Sequence, residues 1–165
     1  MMPELLGTYF IDTWELVFRL VLAAGLGFLV GLDRSIKNKP LGFRPFMLVS
    51  LGACLFSMTI MQLGSGPAGS NGIDPVNVGR VMQGVIGGIG FLGAGAIIRS
   101  SGSDDLRGSA TGAGIWVVGG IGMTVGFGLY ALAVAATIVA VVVFVFFGVV
   151  REEVAEHTED MNEKT

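Results

Sequence analysis

The run from Gly84 to Ile98 constrains the fold most. It carries no charge and contains Gly84, Gly87, Gly88, Gly90, Gly93 and Gly95. It is too apolar for a surface loop. It is also too rich in glycine for a soluble helix, where each interior Gly costs about 1 kcal/mol against Ala. Lipid reverses that judgement, because membrane helices tolerate Gly and small residues let two backbones approach closely. The run therefore predicts a membrane helix packed inside a bundle. Gly88-x-Gly90-x-x-Gly93 has the form of a dinucleotide fingerprint, but there is no βαβ context. No acidic residue stands about 20 residues further on, where Arg107 and Gly108 lie.

The composition extends this reading to most of the chain. Of 165 residues, 52% are hydrophobic and only 14% charged, against about 25% charged in soluble domains. The net charge of −3 comes mostly from the C-terminal tail and argues against nucleic acid as a partner. Cys54 is the single cysteine and lies in an apolar run, so it reads as a packing residue. Neither a disulfide framework nor a Cys-rich metal site is expected. Residues 1–13 hold Glu4 and Asp12 and no Lys or Arg, the wrong charge for a secretory signal.

A hydrocarbon core of about 30 Å needs about 20 apolar residues as helix. Five segments qualify: Trp14–Leu32, Pro45–Leu63, Val78–Ile98, Ser109–Gly126 and Leu129–Val150. Arg34, Lys37, Lys39 and Arg44 lie between the first two, and Arg99 and Arg107 between the third and fourth. Residues 64–77 contain no Lys or Arg. By the positive-inside rule the N-terminus is outside and the C-terminus inside, as five spans require. The fold expected is all-α, a polytopic bundle of five helices. An extracytoplasmic segment (1–13) precedes the membrane domain (14–150), and a short acidic cytoplasmic tail (151–165) follows it.

The glycine pairs Gly27/Gly31, Gly84/Gly88 and Gly122/Gly126 have the spacing of close helix contacts. Spans three and four, richest in glycine, are expected at the centre. Gly84, Gly88, Gly90, Gly93 and Gly95 are the expected packing positions. Span five, rich in Val, Ile and Phe, is expected to face lipid. Internal packing and a homodimer face are both open to these glycines. Gly25-Leu-Gly-Phe-Leu repeats as Gly88-Ile-Gly-Phe-Leu, 63 residues later, and the same offset carries Arg44 onto Arg107. This suggests two parallel helix hairpins, with chance likeness in Gly-rich sequence as the competing account.

Charges near lipid need a reason. Asp33, Arg34, Arg44 and Arg107 border the inner ends of the spans. They are the candidates for a cytoplasmic vestibule in which an acid fixes the arginine forks. Such a vestibule would be an ion or anion site, or a docking surface, with simple orientation by positive charge as the plainer reading. At the outer side are Glu15, Arg19, Asp74 and Arg80. Arg19 is four residues after Glu15 and can snorkel while paired to it, or line an outer vestibule. Gln83, inside span three, is expected to bond across helices or to line a wet cavity. His157 lies in the acidic tail. Nothing in the sequence forms a catalytic triad or a carboxylate pair, so no enzyme activity, no cofactor and no metal site are expected.

The motifs together resemble the MgtC/SapB family of bacterial inner-membrane proteins. They are Gly31-Leu-Asp-Arg34, Arg44 with Met47-Leu-Val-Ser-Leu-Gly52, Asp74-Pro75, and Gly79-Arg-Val-Met-Gln-Gly84. Gly88-Ile-Gly-Phe-Leu-Gly-Ala-Gly95 and Arg107-Gly-Ser-Ala-Thr-Gly-Ala-Gly-Ile-Trp116 complete the set. The resemblance covers residues 14–150 and implies the transmembrane domain alone, without the soluble C-terminal domain of some members. It also implies a role in adaptation to low magnesium, with F-type ATP synthase as a membrane partner. Asp33, Arg34, Arg44, Arg80 and Arg107 fall on its shared positions. Ser35, Pro45-Phe46 and Ala110-Thr111 depart from its common residues. A regulator acting through membrane partners is the first expectation. A transporter or channel for Mg²⁺ or another solute is the alternative, and a wet continuous cavity would mark it.

Overall fold

The computed structural model describes residues 12–37, 41–64, 75–99 and 108–163, without the side chains at 63, 64, 75, 77, 98, 99 and 147–163. Five helices follow one another: α1 (Thr13–Ile36), α2 (Phe43–Gly64), α3 (Pro75–Arg99), α4 (Ser109–Gly126) and α5 (Tyr130–Glu163). The first four each contain a stretch long and apolar enough to cross a membrane. In α5 the described apolar stretch is Tyr130–Phe146, and the helix runs on through the acidic residues to Glu163. The expected all-helical bundle is what forms.

Helices α2 and α3 begin two and three residues before the expected spans, each with a proline in its first turn. Pro75 is the first residue of α3, where its missing N–H is no loss. Pro45 is the third residue of α2 and is tolerated in the first turn for the same reason.

The centre is built from α2 and α4, not from α3 and α4. Helix α4 is the most enclosed of the four spans and α3 the least. Phe46, Val30, Val118, Ile121 and Val125 form the fully enclosed core. Glycine decides this layout. A Cβ at Gly27 would stand 2.7 Å from the Phe46 carbonyl oxygen, and one at Gly31 2.8 Å from Phe43 Cα. Helix α1 therefore lies almost backbone to backbone on α2. On α4, Gly122 seats directly on the Ser50 backbone, and Gly126 leaves 2.6 Å between a Cβ and the Cys54 carbonyl oxygen. Ser50 sits between the two contacts and donates its hydroxyl to the Ala23 carbonyl oxygen at 2.7 Å.

Of the five α3 glycines expected to pack, only Gly93 does, against Gly112 of α4. A Cβ at Gly84, Gly88, Gly90 or Gly95 would meet nothing within 4 Å. Within this one chain these four touch no neighbouring helix, because α3 meets the bundle along one narrow edge. The 63-residue repeat shows the same break. Gly27 is tightly packed, and its counterpart Gly90 is open. Gly84 and Gly88 instead line an apolar groove of ≈ 630 Å³ between α2 and α3. The outer face of α5 exposes Leu132, Ile138, Val139, Val142 and Phe146, as its composition predicts for a lipid-facing helix.

Candidate functional site

Two arginines on α1 are buried to the same depth, and each rests on an aromatic side chain of α5. Arg19 and Arg34 are both 8% exposed. Arg19 lies 5.7 Å from the Tyr130 ring centroid, and Arg34 lies 4.1 Å from that of Phe144. Since α1 and α5 run in the same direction by the topology, spacings of 15 residues on α1 and 14 on α5 bring both pairs together at once. Each pair stands near one end of the bundle. Charged side chains inside a membrane protein need such contacts, because isolated burial costs several kcal/mol.

The Arg19 end is complete in its hydrogen bonding. Nε donates to Glu15 Oε1 at 3.1 Å, and Nη2 forms the ion pair with the same oxygen. Nη1 donates to the Gly126 carbonyl oxygen at 2.7 Å. The Tyr130 hydroxyl donates to Glu15 Oε1 at 3.0 Å. Gly126 is the last residue of α4, where carbonyls are left without helical partners and a positive charge is favoured. The corner after it is a Schellman turn. Leu129 N–H bonds the Thr124 oxygen and Gly128 N–H the Val125 oxygen, with Gly128 at φ 79°. Arg19 supplies the donor that this turn leaves missing, and so ties α1 to the α4–α5 corner. The expected Glu15–Arg19 pair is present. Tyr130 and the Gly126 carbonyl were not legible as its partners.

The Arg34 end is incomplete. The Phe144 ring covers the guanidinium on one face, and Gly114 makes room for that ring: a Cβ there would stand 2.6 Å from Phe144 Cζ. Nε of Arg34 is enclosed and has no hydrogen-bond partner. Among the described residues Asp33 forms no ion pair with Arg34 or Arg44. It pairs with Lys37 one turn on, at 3.0 Å. The physical reason is helical spacing, since i and i+4 share a face and adjacent residues point apart.

The remaining candidates are spread out. Arg44, Arg80 and Gln83 are exposed on the outside of their helices. Gln83 therefore neither crosses to another helix in the core nor lines an enclosed cavity. Asp74 and Arg107 lie outside the described residues. Among the described residues no group of His, Cys, Asp or Glu could hold a metal ion. Cys54 is fully enclosed, with its thiol 3.7 Å from the Arg19 carbonyl oxygen, in keeping with a packing role.

Comparison with known proteins places this arrangement. No solved structure matches the chain. Protein SrpB of Synechococcus elongatus is 37% identical over 133 residues, 76% of this chain and 71% of the relative. Protein SapB of Bacillus subtilis is 32% identical, over 78% of this chain and 54% of the relative. Protein MgtC of Salmonella typhimurium is 35% identical, over 74% of this chain and 48% of the relative. The chain thus spans about half to 71% of the length of these relatives. The residues matched by the family profile take in Arg34, Phe144 and the Tyr130 corner and begin just after Glu15 and Arg19. With the profile of the MgtC family matching residues 20–153, this multi-helix membrane protein belongs to the MgtC family.

Proposed function

We propose that the chain is a non-enzymatic regulator in the bacterial inner membrane that helps the cell tolerate low magnesium by acting on a membrane partner. F-type ATP synthase is the partner that the family resemblance implies. The observation that carries the regulatory reading is the dry centre of the bundle. Around Val118, Ile121 and Val125 the enclosed hydroxyls of Ser50, Ser57 and Thr137 are engaged locally, and the one enclosed side-chain nitrogen without a partner among the described residues, Arg34 Nε, stands at the end of the bundle. Ser50 bonds the Ala23 carbonyl, and Ser57 and Thr137 bond carbonyls one turn back. Arg19 is fully engaged at its end of the bundle. The exposed side chains Arg44, Arg80 and Gln83 lie outside that centre. A conduction path requires polar groups that face a shared wet space, and none is assembled there among the described residues.

Ion flux in proteoliposomes tests this. Purified chain, reconstituted with Mg²⁺, K⁺ and H⁺ indicators, is expected to give traces equal to those of empty vesicles. A second arm asks whether the chain changes ATP-driven proton pumping by co-reconstituted ATP synthase. Flux above the empty-vesicle level that Arg34→Gln abolishes would replace the regulator with a transporter. Flat traces together with unchanged pumping would remove ATP synthase as the partner.

A further inference from the structure

We infer that Arg34 is a binding site for a phosphate-bearing anion at the inner end of the bundle. The contrast with Arg19 carries the inference. The two arginines are equally buried, and both stack on α5. Arg19 has a carboxylate, a backbone carbonyl and a ring. Arg34 has only the ring, and its enclosed Nε donates to nothing. Among the described residues it forms no ion pair.

Arginine cannot relieve this by losing its proton, because its charge persists at any physiological pH. A buried charge without a counter-charge is costly, so the folded bundle gains from any anion that supplies one. Among the described residues the adjacent acid, Asp33, makes its ion pair with Lys37 at 3.0 Å and gives Arg34 a through-space attraction but no hydrogen bond. Phe144, held in place by the missing side chain at Gly114, fixes the plane of the guanidinium. A guanidinium with its face covered and no hydrogen bond among the described residues can turn its Nη edge to an oxyanion as a two-pronged donor. Phosphate fits that fork, and it is present at this level of the membrane in two forms. One is the headgroup of an anionic phospholipid, the other a soluble phosphate. The site would serve a regulator and a transporter alike.

The test uses the whole chain in nanodiscs and reads its thermal unfolding midpoint. Three conditions are compared: phosphatidylcholine alone, phosphatidylcholine with phosphatidylglycerol, and phosphatidylcholine with added inorganic phosphate. The midpoint is expected to rise by several degrees in at least one of the last two. A rise with phosphatidylglycerol alone identifies the headgroup, and a rise with inorganic phosphate alone identifies a soluble anion. Arg34→Lys keeps the net charge and loses the fork, and its apparent affinity is expected to fall about tenfold. Arg34→Gln is expected to lose the shift altogether. A wild-type midpoint insensitive to both probes would overturn the site, without need of any variant. So would Arg34→Lys that responds as the wild type does, since that would be surface charge alone. Destabilisation of the wild type in phosphatidylcholine by Asp104→Asn with Asp105→Asn would also overturn it, by assigning the counter-charge to the chain itself.

Discussion

Arg19 Nη1 donates to the Gly126 carbonyl oxygen at 2.7 Å, joining residues 107 apart in the chain. This one bond closes the end of α4 and anchors α1 to it. Glu15 and Tyr130 then hold the guanidinium from the other side. The result is a charged cap whose acid, cation, phenol and carbonyl come from three helices.

Arg19→Met should lower the stability of the protein by about 2 kcal/mol, the usual worth of hydrogen bonds to a charged group. Methionine keeps the apolar stem and loses all three donors. Glu15 is half exposed and can turn to solvent, so its release adds little. Thermal unfolding of purified protein, followed by tryptophan fluorescence, measures the loss. An unchanged midpoint would mean that the cap contributes nothing.

Gly122→Ala should be severe and Gly88→Ala mild. At Gly122 an added Cβ runs into the Ser50 backbone, which cannot yield without parting α2 from α4. Overpacking of that kind costs about 1–3 kcal/mol, and more where backbone is the obstacle. At Gly88 the added methyl meets open space. Since Ala is the better helix former by about 1 kcal/mol, the Gly88 variant should fold at least as well as wild type. Folded yield and melting temperature separate the two. Equal effects would mean that Gly88 is covered by something beyond this single chain.

That contrast also shows what the sequence could and could not disclose. The five helices were legible because lipid demands long apolar runs and the loops carry their charge asymmetrically. The Glu15–Arg19 pair was legible because helical spacing alone brings the two together. The role of each glycine pair was not. Gly27/Gly31, Gly84/Gly88 and Gly122/Gly126 have one spacing and three environments. The first brings α1 onto α2 at Phe46 and Ser50, the second is open, and the third brings α4 onto α2 at Ser50 and Cys54. Spacing says that a close approach is allowed, and only the tertiary layout says which helix comes. Tyr130 stayed hidden for the same reason, as its bond to Glu15 spans 115 residues. Arg34 was marked as a candidate by its place beside Asp33. Its actual neighbour, Phe144, is an unremarkable member of an apolar run.

Gly128→Ala tests the corner that Arg19 closes. Gly128 adopts φ 79°, a conformation that costs other residues roughly 1–2 kcal/mol. A Cβ there would also stand 3.3 Å from Arg19 Nη2. The expected loss is therefore at least about 1 kcal/mol. Asn tolerates this conformation better than Ala, so Gly128→Asn should recover part of that loss. A melting temperature unaffected by Ala would show that the corner is not held at positive φ in the membrane.

Tyr130→Phe combined with Arg19→Met decides whether the cap acts as a unit. Phenylalanine keeps the ring and its edge contact with Phe18, at 5.7 Å between centroids, and removes only the hydroxyl bond to Glu15. Alone it should lower stability by about 1 kcal/mol. Both partners act on the same Glu15 oxygen, so their effects should not add: once Arg19 is gone, Glu15 is no longer fixed where the phenol can reach it. The double variant should then be about as stable as Arg19→Met alone, with a coupling of 0.5 kcal/mol or more, roughly the lower bound for residues in one network. Strict additivity in the thermal midpoints would mean that Tyr130 and Arg19 hold the corner independently, and that Glu15 is a bystander on the rim of the bundle.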